Sequence, residues 1–185
     1  MKTKTIIGIS LAALLFHFTA LSQNDSAAKV TIGIEQDFLP YATGGYFAGA
    51  WVGKGHLRTR LLTAYVHKPD FIITKGFTNN RVTAYAIVTD YFLRKGWIGW
   101  YAGTGLVYWK STIQTDQKLA TAHYENYLIN GTLGYNYALS KHWYLSPWGG
   151  LHLKIGGANH VNIDGKIYNP PLLNPEASVK IGWHL

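Results

Sequence analysis

In Ala177-Ser178-Val179-Lys180-Ile181-Gly182-Trp183-His184-Leu185, the odd-numbered residues are apolar and the even-numbered ones are polar or small. Successive side chains of an extended strand point to opposite faces, so this period of two sorts the segment into one apolar and one polar side. A single such segment indicates a half-buried strand and nothing more. Upstream the pattern repeats. Val30, Ile32 and Ile34 alternate with Thr31, Gly33, Glu35 and Asp37, and Leu57, Thr59, Leu61, Thr63 and Tyr65 oppose His56, Arg58, Arg60 and Leu62. Tyr127, Ile129, Leu133, Tyr135 and Tyr137 oppose Asn126, Asn130, Thr132, Gly134 and Asn136. Trp143, Leu145, Leu151, Leu153 and Ile155 oppose His142, Tyr144, Ser146, His152 and Lys154. The stretches 46–52, 81–92 and 97–109 are also strand-forming, but both of their faces are apolar or small, which leaves their facing unassigned.

Together these segments predict eight strands, over about 29–38, 45–53, 56–67, 81–92, 96–109, 122–138, 142–156 and 176–185. Several approach the ~9–11 residues that a tilted strand needs to cross a membrane. Gly53-Lys54-Gly55, Leu93-Arg94-Lys95 and Leu139-Ser140-Lys141 are tight turns, whereas 39–44, 68–80, 110–121 and 157–175 are longer and hold most of the Pro, Asn and Asp. Short and long connections alternate, as they do in an all-β, eight-stranded antiparallel up-and-down transmembrane β-barrel with one end on each side of a membrane.

The N-terminus fits that setting. Lys2 and Lys4 precede an apolar run from Ile6 to Phe18, followed by small residues at Ala20 and Ser22. This is the three-part order of a signal peptide over residues 1–22, cleaved after Ser22. The run is shorter than the ~20 residues a spanning helix needs. The remaining residues 23–185 form one domain without a linker or charge block. Removing Lys2 and Lys4 lowers the formal charge from +8 to +6. Lys68, Lys75, Arg81, Lys110, Lys118 and Lys166 are scattered singly, which disfavours nucleic acid and suits anionic lipid headgroups. Cysteine is absent, so rigidity comes from backbone hydrogen bonding and not from disulfides. Charged residues make up 14%, against about 25% in soluble domains.

A soluble barrel puts its apolar face inside. Here Glu35, Arg58, Arg60, Asn130, Lys154 and Lys180 lie opposite the apolar stripes, and Trp and Tyr gather near segment ends, where a membrane interface holds amphipathic rings. The chain resembles the small outer-membrane barrels of the OmpX type and of the OmpA transmembrane domain over residues 28–185. Its final strand, with Val179, Ile181, Trp183 and Leu185, looks like the C-terminal assembly signal read by the barrel-insertion machinery, although that signal usually ends in Phe. The Ser22-Gln23 junction is similar to signal peptides of Bacteroidota. The resemblance implies outer-membrane localisation, with membrane lipid, lipopolysaccharide and the insertion machinery as partners and no cofactor.

Eight histidines invite a search for chemistry. His67 with Asp70, His123 with Glu125, and Ser140 with His142 are the available pairs. A Ser–His pair becomes nucleophilic only beside an orienting third group and oxyanion donors, and the sequence supplies no such set. His152, His160 and His184 lack a ligand spacing for metal. Gly99, Gly103, Gly105, Gly149 and Gly150 sit in aromatic strand-like stretches, where they relieve crowding.

Eight strands enclose a lumen that side chains can fill. Glu35 and Asp37 of the first segment are expected to pair with Arg58 and Arg60 of the third, with Lys154, Lys180 and His184 extending a polar, plugged interior. The leading expectation is therefore a non-enzymatic barrel whose loops contact the exterior or lipopolysaccharide. A lipid A-modifying enzyme and a narrow transporter of small apolar molecules are the alternatives, and the transporter would require a hollow core or a lateral opening. The facing of the last strand is testable. Trp183→Asp is expected to reduce membrane insertion strongly, since a charge on the lipid face costs up to ~2–4 kcal/mol at the midplane, with acids toward the lower part of that range and less toward the interfaces. Lys180→Ser is expected to insert better, measured as the heat-dependent gel shift of folded barrel. Equal insertion of the two variants overturns the facing.

Overall fold

The computed structural model describes residues 29–185, so the expected leader over 1–22 lies outside the described residues. In chain order the strands are β1 (Thr31–Asp37), β2 (Tyr46–Lys54), β3 (Leu57–His67), β4 (Phe77–Phe92), β5 (Gly99–Thr115), β6 (Thr121–Ala138), β7 (Trp143–Gly157), β8 (Val161–Ile163), β9 (Lys166–Tyr168) and β10 (Leu173–His184). Eight of them form one antiparallel ring, each beside its sequence neighbour, with β10 pairing β7 on one side and β1 on the other. β8 and β9 make a separate hairpin in the connection from β7 to β10. No helix among the described residues is long and apolar enough to cross a membrane. A closed ring of strands is the other way to cross one, since every backbone group can find a partner on an adjacent strand.

The alternation now has a direction. Ile32 and Ile34, Leu61, Ile129 and Leu133, and Leu151 and Leu153 are exposed on the outer surface, while Glu35, Arg58, Asn130 and His152 are buried inside. The three segments of unassigned facing resolve the same way. Ala48, Tyr85, Ile87, Leu106 and Tyr108 point out, and Phe47, Trp51, Val88, Tyr101 and Val107 point in. Their period is hidden in the sequence because this part of the lumen is itself apolar and aromatic.

Outward rings gather in two belts, as amphipathic aromatics do where hydrocarbon meets water. At the long-loop end Tyr46 stacks on Tyr65, and Tyr85, Tyr108 and Tyr127 form a stacked row with centroids 6.4 and 5.2 Å apart. Near the short-turn end lie Tyr91 with His56, Trp100 with Tyr135, and Trp183 with His142.

Two expected boundaries are corrected. The loop expected over 110–121 shrinks to 116–120, because β5 and β6 continue beyond the upper belt with Lys110 opposite Glu125 and Thr112 opposite His123. A polar outer face in water erases the apolar stripe by which a strand is recognised. β4 begins at Phe77 and not at 81, since a register shift between Thr78 and Arg81, with Asn79 at φ 53, breaks the alternation.

The ring also has a gap. β1 stops at Asp37, opposite Lys180, and the chain turns into a five-residue helix, α1 (Phe38–Ala42), whose Leu39 N–H donates to the Asp37 carboxylate at 3.1 Å. Above Lys180, β10 therefore has β7 on one side and only α1 on the other, tied by Leu39 N–H to Ser178 Oγ at 3.2 Å. Lys154 N donates to Leu172 O and Leu185 N to Ile32 O, which fixes the phase of β10: the backbone groups of Leu173, Pro175 and Ala177 turn toward this gap. Pro175 has no N–H to leave unpaired there.

Gly182 shows why small residues interrupt the aromatic lumen: a Cβ there would collide with the Tyr144 ring, whereas a Cβ on Gly131 meets nothing within 4 Å. Overpacking of this kind costs about 1–3 kcal/mol. Gly182→Val is expected to lower the urea midpoint of unfolding from lipid vesicles and Gly131→Val to leave it unchanged.

Candidate functional site: the barrel interior

The lumen is divided by height. Near the short-turn end, Arg58 is 0% exposed and its guanidinium lies 4.9–5.9 Å from the centroids of Phe92, Tyr101, Trp51 and Tyr144. Its nitrogens reach Glu35 and Asp90, each at 2.8 Å. Arg60 reaches the same two carboxylates, Asp90 at 2.8 Å and Glu35 at 3.4 Å. The Tyr144 hydroxyl donates to Glu35 at 2.7 Å and accepts from Trp51 Nε1 at 3.0 Å, and Tyr101 meets Ser146 at 3.0 Å. Trp97 closes the base between Trp51 and Phe92, its carbonyl accepting from Asn136 at 3.0 Å. Its φ of 62 turns the chain under the barrel.

Lys180 lies 3.9 Å from the Trp148 ring, and Trp148 Nε1 donates to Asp37 at 2.8 Å. Glu35, Asp37 and Asp90 thus face Arg58, Arg60 and Lys180, three charges of each sign and all at most 2% exposed. Stacking planar guanidinium on rings and pairing it with carboxylates is the arrangement that tolerates burying such charges.

Above this base the lumen opens into a cavity of about 500 Å³. Leu62, Ala84, Ala86, Val88, Val107 and Trp109 line one side, with Arg60 and Lys180 on its floor. Its upper rim carries Leu39 and Pro40 of α1, Phe71 and Ile72 of the β3–β4 loop, and Pro175 and Ala177 of β10, so the cavity reaches the gap beside α1. Toward β4–β6 the mouth is roofed by the β8–β9 hairpin. Val161, Ile163 and Tyr168 pack there on Phe77, Ile113 and Tyr124, and Asn80 bonds the Tyr124 and Tyr168 hydroxyls at 3.1 Å.

Of the residues expected in the polar network, the fold joins Glu35, Arg58 and Arg60 directly and brings Asp37 and Lys180 alongside through Trp148. Lys154 stands apart near the long-loop end, donating to the carbonyls of Ala158 at 2.9 Å and Pro170 at 3.4 Å and to Asn159 at 3.1 Å. His184 sits at the base beside Trp51 and Tyr144, and its carbonyl accepts from His142. On the last strand Trp183 and Ile181 pair with Trp143 and Leu145, and Val179 with Pro147, on the outer face, while Leu185 N bonds Ile32 O.

Sequence reasoning missed Asp90 and the rings around Arg58. Asp90 is the one charged residue between Val82 and Phe92, and a lone acid in a membrane-length apolar run was the available signal. In the sheet it stands directly opposite Arg58.

Two of the candidate catalytic pairs turn to other partners: Ser140 Oγ accepts from the backbone of His142 and Trp143, Asp70 accepts from Thr78, and His67 packs edge-on against Tyr65. His123 and Glu125 are exposed two residues apart on the outer face of β6. Among the described residues no three His, Asp or Glu side chains gather at a point that would hold a metal ion.

The N-terminal β-barrel domain of OprF from Pseudomonas aeruginosa superposes with a TM-score of 0.53 at 13% identity, covering 84% of this chain and 96% of that one. A major outer membrane protein from Thermus thermophilus gives 0.50 at 11% identity, covering 85% and 100%. The fold is that of the small outer-membrane β-barrels. No family model matches the chain, and no curated protein matches it in sequence.

Membership of the charge cluster separates the basic residues by energy. Breaking a buried pair costs about 3–5 kcal/mol, because the remaining charge is stranded. Arg58→Met is expected to lower the unfolding free energy in lipid vesicles by about that much, and Lys154→Met by about 1 kcal/mol or less.

Proposed function

We propose that this chain is a non-enzymatic outer-membrane protein whose base is sealed against solutes and whose working surface is the end with the long connections. The apolar outer band between two aromatic belts suits a bilayer, and short turns at one end suit the periplasmic side. One observation carries the reading: a charge-balanced cluster, packed with Trp51, Phe92, Trp97, Tyr101 and Tyr144, fills the lumen where a pore would have to pass. A conducting lumen needs solvated charges, and these are at most 2% exposed with partners in place.

The outer end carries exposed Lys75, Arg81, Lys110, Lys118 and Lys166 on β4, β5, β9 and the adjoining loops. Cations of this kind attract anionic headgroup phosphates at roughly 1 kcal/mol each near a charged surface, which supports lipopolysaccharide as the neighbour. The last strand, with Val179, Ile181, Trp183 and Leu185, serves as the assembly signal.

Reconstitution into planar bilayers tests the sealed base. The wild type is expected to be electrically silent, and Glu35→Ser or Arg58→Ser to loosen the base and lower thermal stability. Steady, ion-selective conductance of the wild type, altered in selectivity by either substitution, overturns the reading.

A further inference from the structure

The cavity above the sealed base has two unlike walls. Leu62, Ala86, Val88 and Val107 form the apolar one, and Asn130, Thr132 and His152 of β6 and β7 stand on the other. These three side chains are at most 7% exposed, yet Asn130 Oδ1, Thr132 Oγ1 and His152 Nδ1 have no hydrogen-bond partner within the protein. Asn130 and His152 are register partners across β6 and β7, and Thr132 is the next inward residue on β6, so the three make one polar strip. A buried polar atom without a partner costs about 1–3 kcal/mol. Three side by side against an apolar wall mark a place where a ligand supplies the missing bonds.

The strip also specifies the polar group. His152 Nε2 lies 3.0 Å from a Glu176 carboxylate oxygen, which accepts its N–H, so that in the neutral tautomer of the ring Nδ1 is an acceptor. Asn130 Oδ1 is a second acceptor, and Thr132 can donate or accept. A hydroxyl fits this set, since it can donate to Asn130 Oδ1 or to His152 Nδ1, whereas Thr132 Oγ1 is turned toward Gly103 of β5. A carboxylate would bring further acceptors to a strip that already has two. Charge balance points the same way. The floor holds three acids and three bases, and Lys68 on the rim donates to Asn174 Oδ1 at 3.2 Å and lies over the Trp109 ring, so a charged occupant of the floor would bury an unmatched charge.

We propose that this cavity binds an uncharged amphiphile, an apolar chain or ring bearing a hydroxyl. Its body lies against Leu62, Ala86, Val88 and Val107, and its hydroxyl sits on the Asn130–Thr132–His152 strip. A volume of about 500 Å³ is that of a small-molecule site. The gap between α1 and β10, flanked by the apolar side chains of Leu39, Leu173, Pro175 and Ala177, is its way in from the membrane.

The test uses the full chain in lipid nanodiscs with isotope-labelled methyl groups, titrated with decan-1-ol, decane and decanoate. Decan-1-ol is expected to give saturable nuclear Overhauser contacts to the inward methyls of Leu62, Val88 and Val107. Decanoate is expected to bind at least tenfold more weakly. Asn130→Leu is expected to weaken decan-1-ol about tenfold, the loss of one hydrogen bond, while leaving decane unchanged. Ala86→Trp, which fills the cavity, is expected to abolish the contacts. Contacts confined to the outward Ile87 and Leu106 would show partition into surrounding lipid and overturn the proposal. So would decanoate binding as tightly as decan-1-ol, or a folded Ala86→Trp protein that binds unchanged. None of these outcomes bears on whether the base conducts.

Discussion

Hydrocarbon offers a backbone N–H or C=O no partner, so a chain that crosses it with strands must close those strands into a ring. Most of the architecture follows from that demand. β10 returns to β1 through the pairs Gly33 with His184 and Asp37 with Lys180, and closure leaves each strand one face for lipid and one for a narrow lumen. The period-2 pattern is the mark of this division, and it fades where the division lapses. Above the upper belt, β5 and β6 run on in water, and both of their faces carry polar groups.

Closure is incomplete at one place, and the local chemistry answers for it. Where β1 gives way to α1, the free side of β10 presents Pro175, which lacks a donor, and Ser178, whose hydroxyl bonds Leu39 N–H. Asp37 joins three tasks at this corner: it caps α1, accepts from Trp148, and supplies one of the negative charges that balance the floor. The end of a strand, the start of a helix and the charge of the lumen are therefore coupled through a single carboxylate.

A lumen of eight strands leaves little room, and the way it is filled changes with height. At the base, guanidinium groups stack on rings, and carboxylate oxygens lie 2.8–3.4 Å from their nitrogens. Halfway up, Ala84, Ala86, Val107 and Leu62 are too small to meet across the barrel, and a cavity remains. The same fold is thus solid below and hollow above. The difference lies in side-chain volume and not in the path of the backbone.

Much of this was legible in the order of residues. Alternation over residues 177–185, 56–66 and 127–137, with turns and longer connections in strict succession, determined a membrane barrel of eight strands, because period two is imposed by the pleat wherever one face meets lipid and the other does not. It also placed Glu35 and Asp37 on the same side as each other, and likewise Arg58 and Arg60. Only the tertiary structure decided the rest. Asp90 joined the arginines because register set it opposite Arg58, and Lys154 fell away from them because height along β7, invisible to periodicity, carried it to the far end. The cavity, its unpartnered strip and the gap beside α1 arise from residues that meet across strands far apart in sequence, and no local pattern encodes how much space their side chains leave between them.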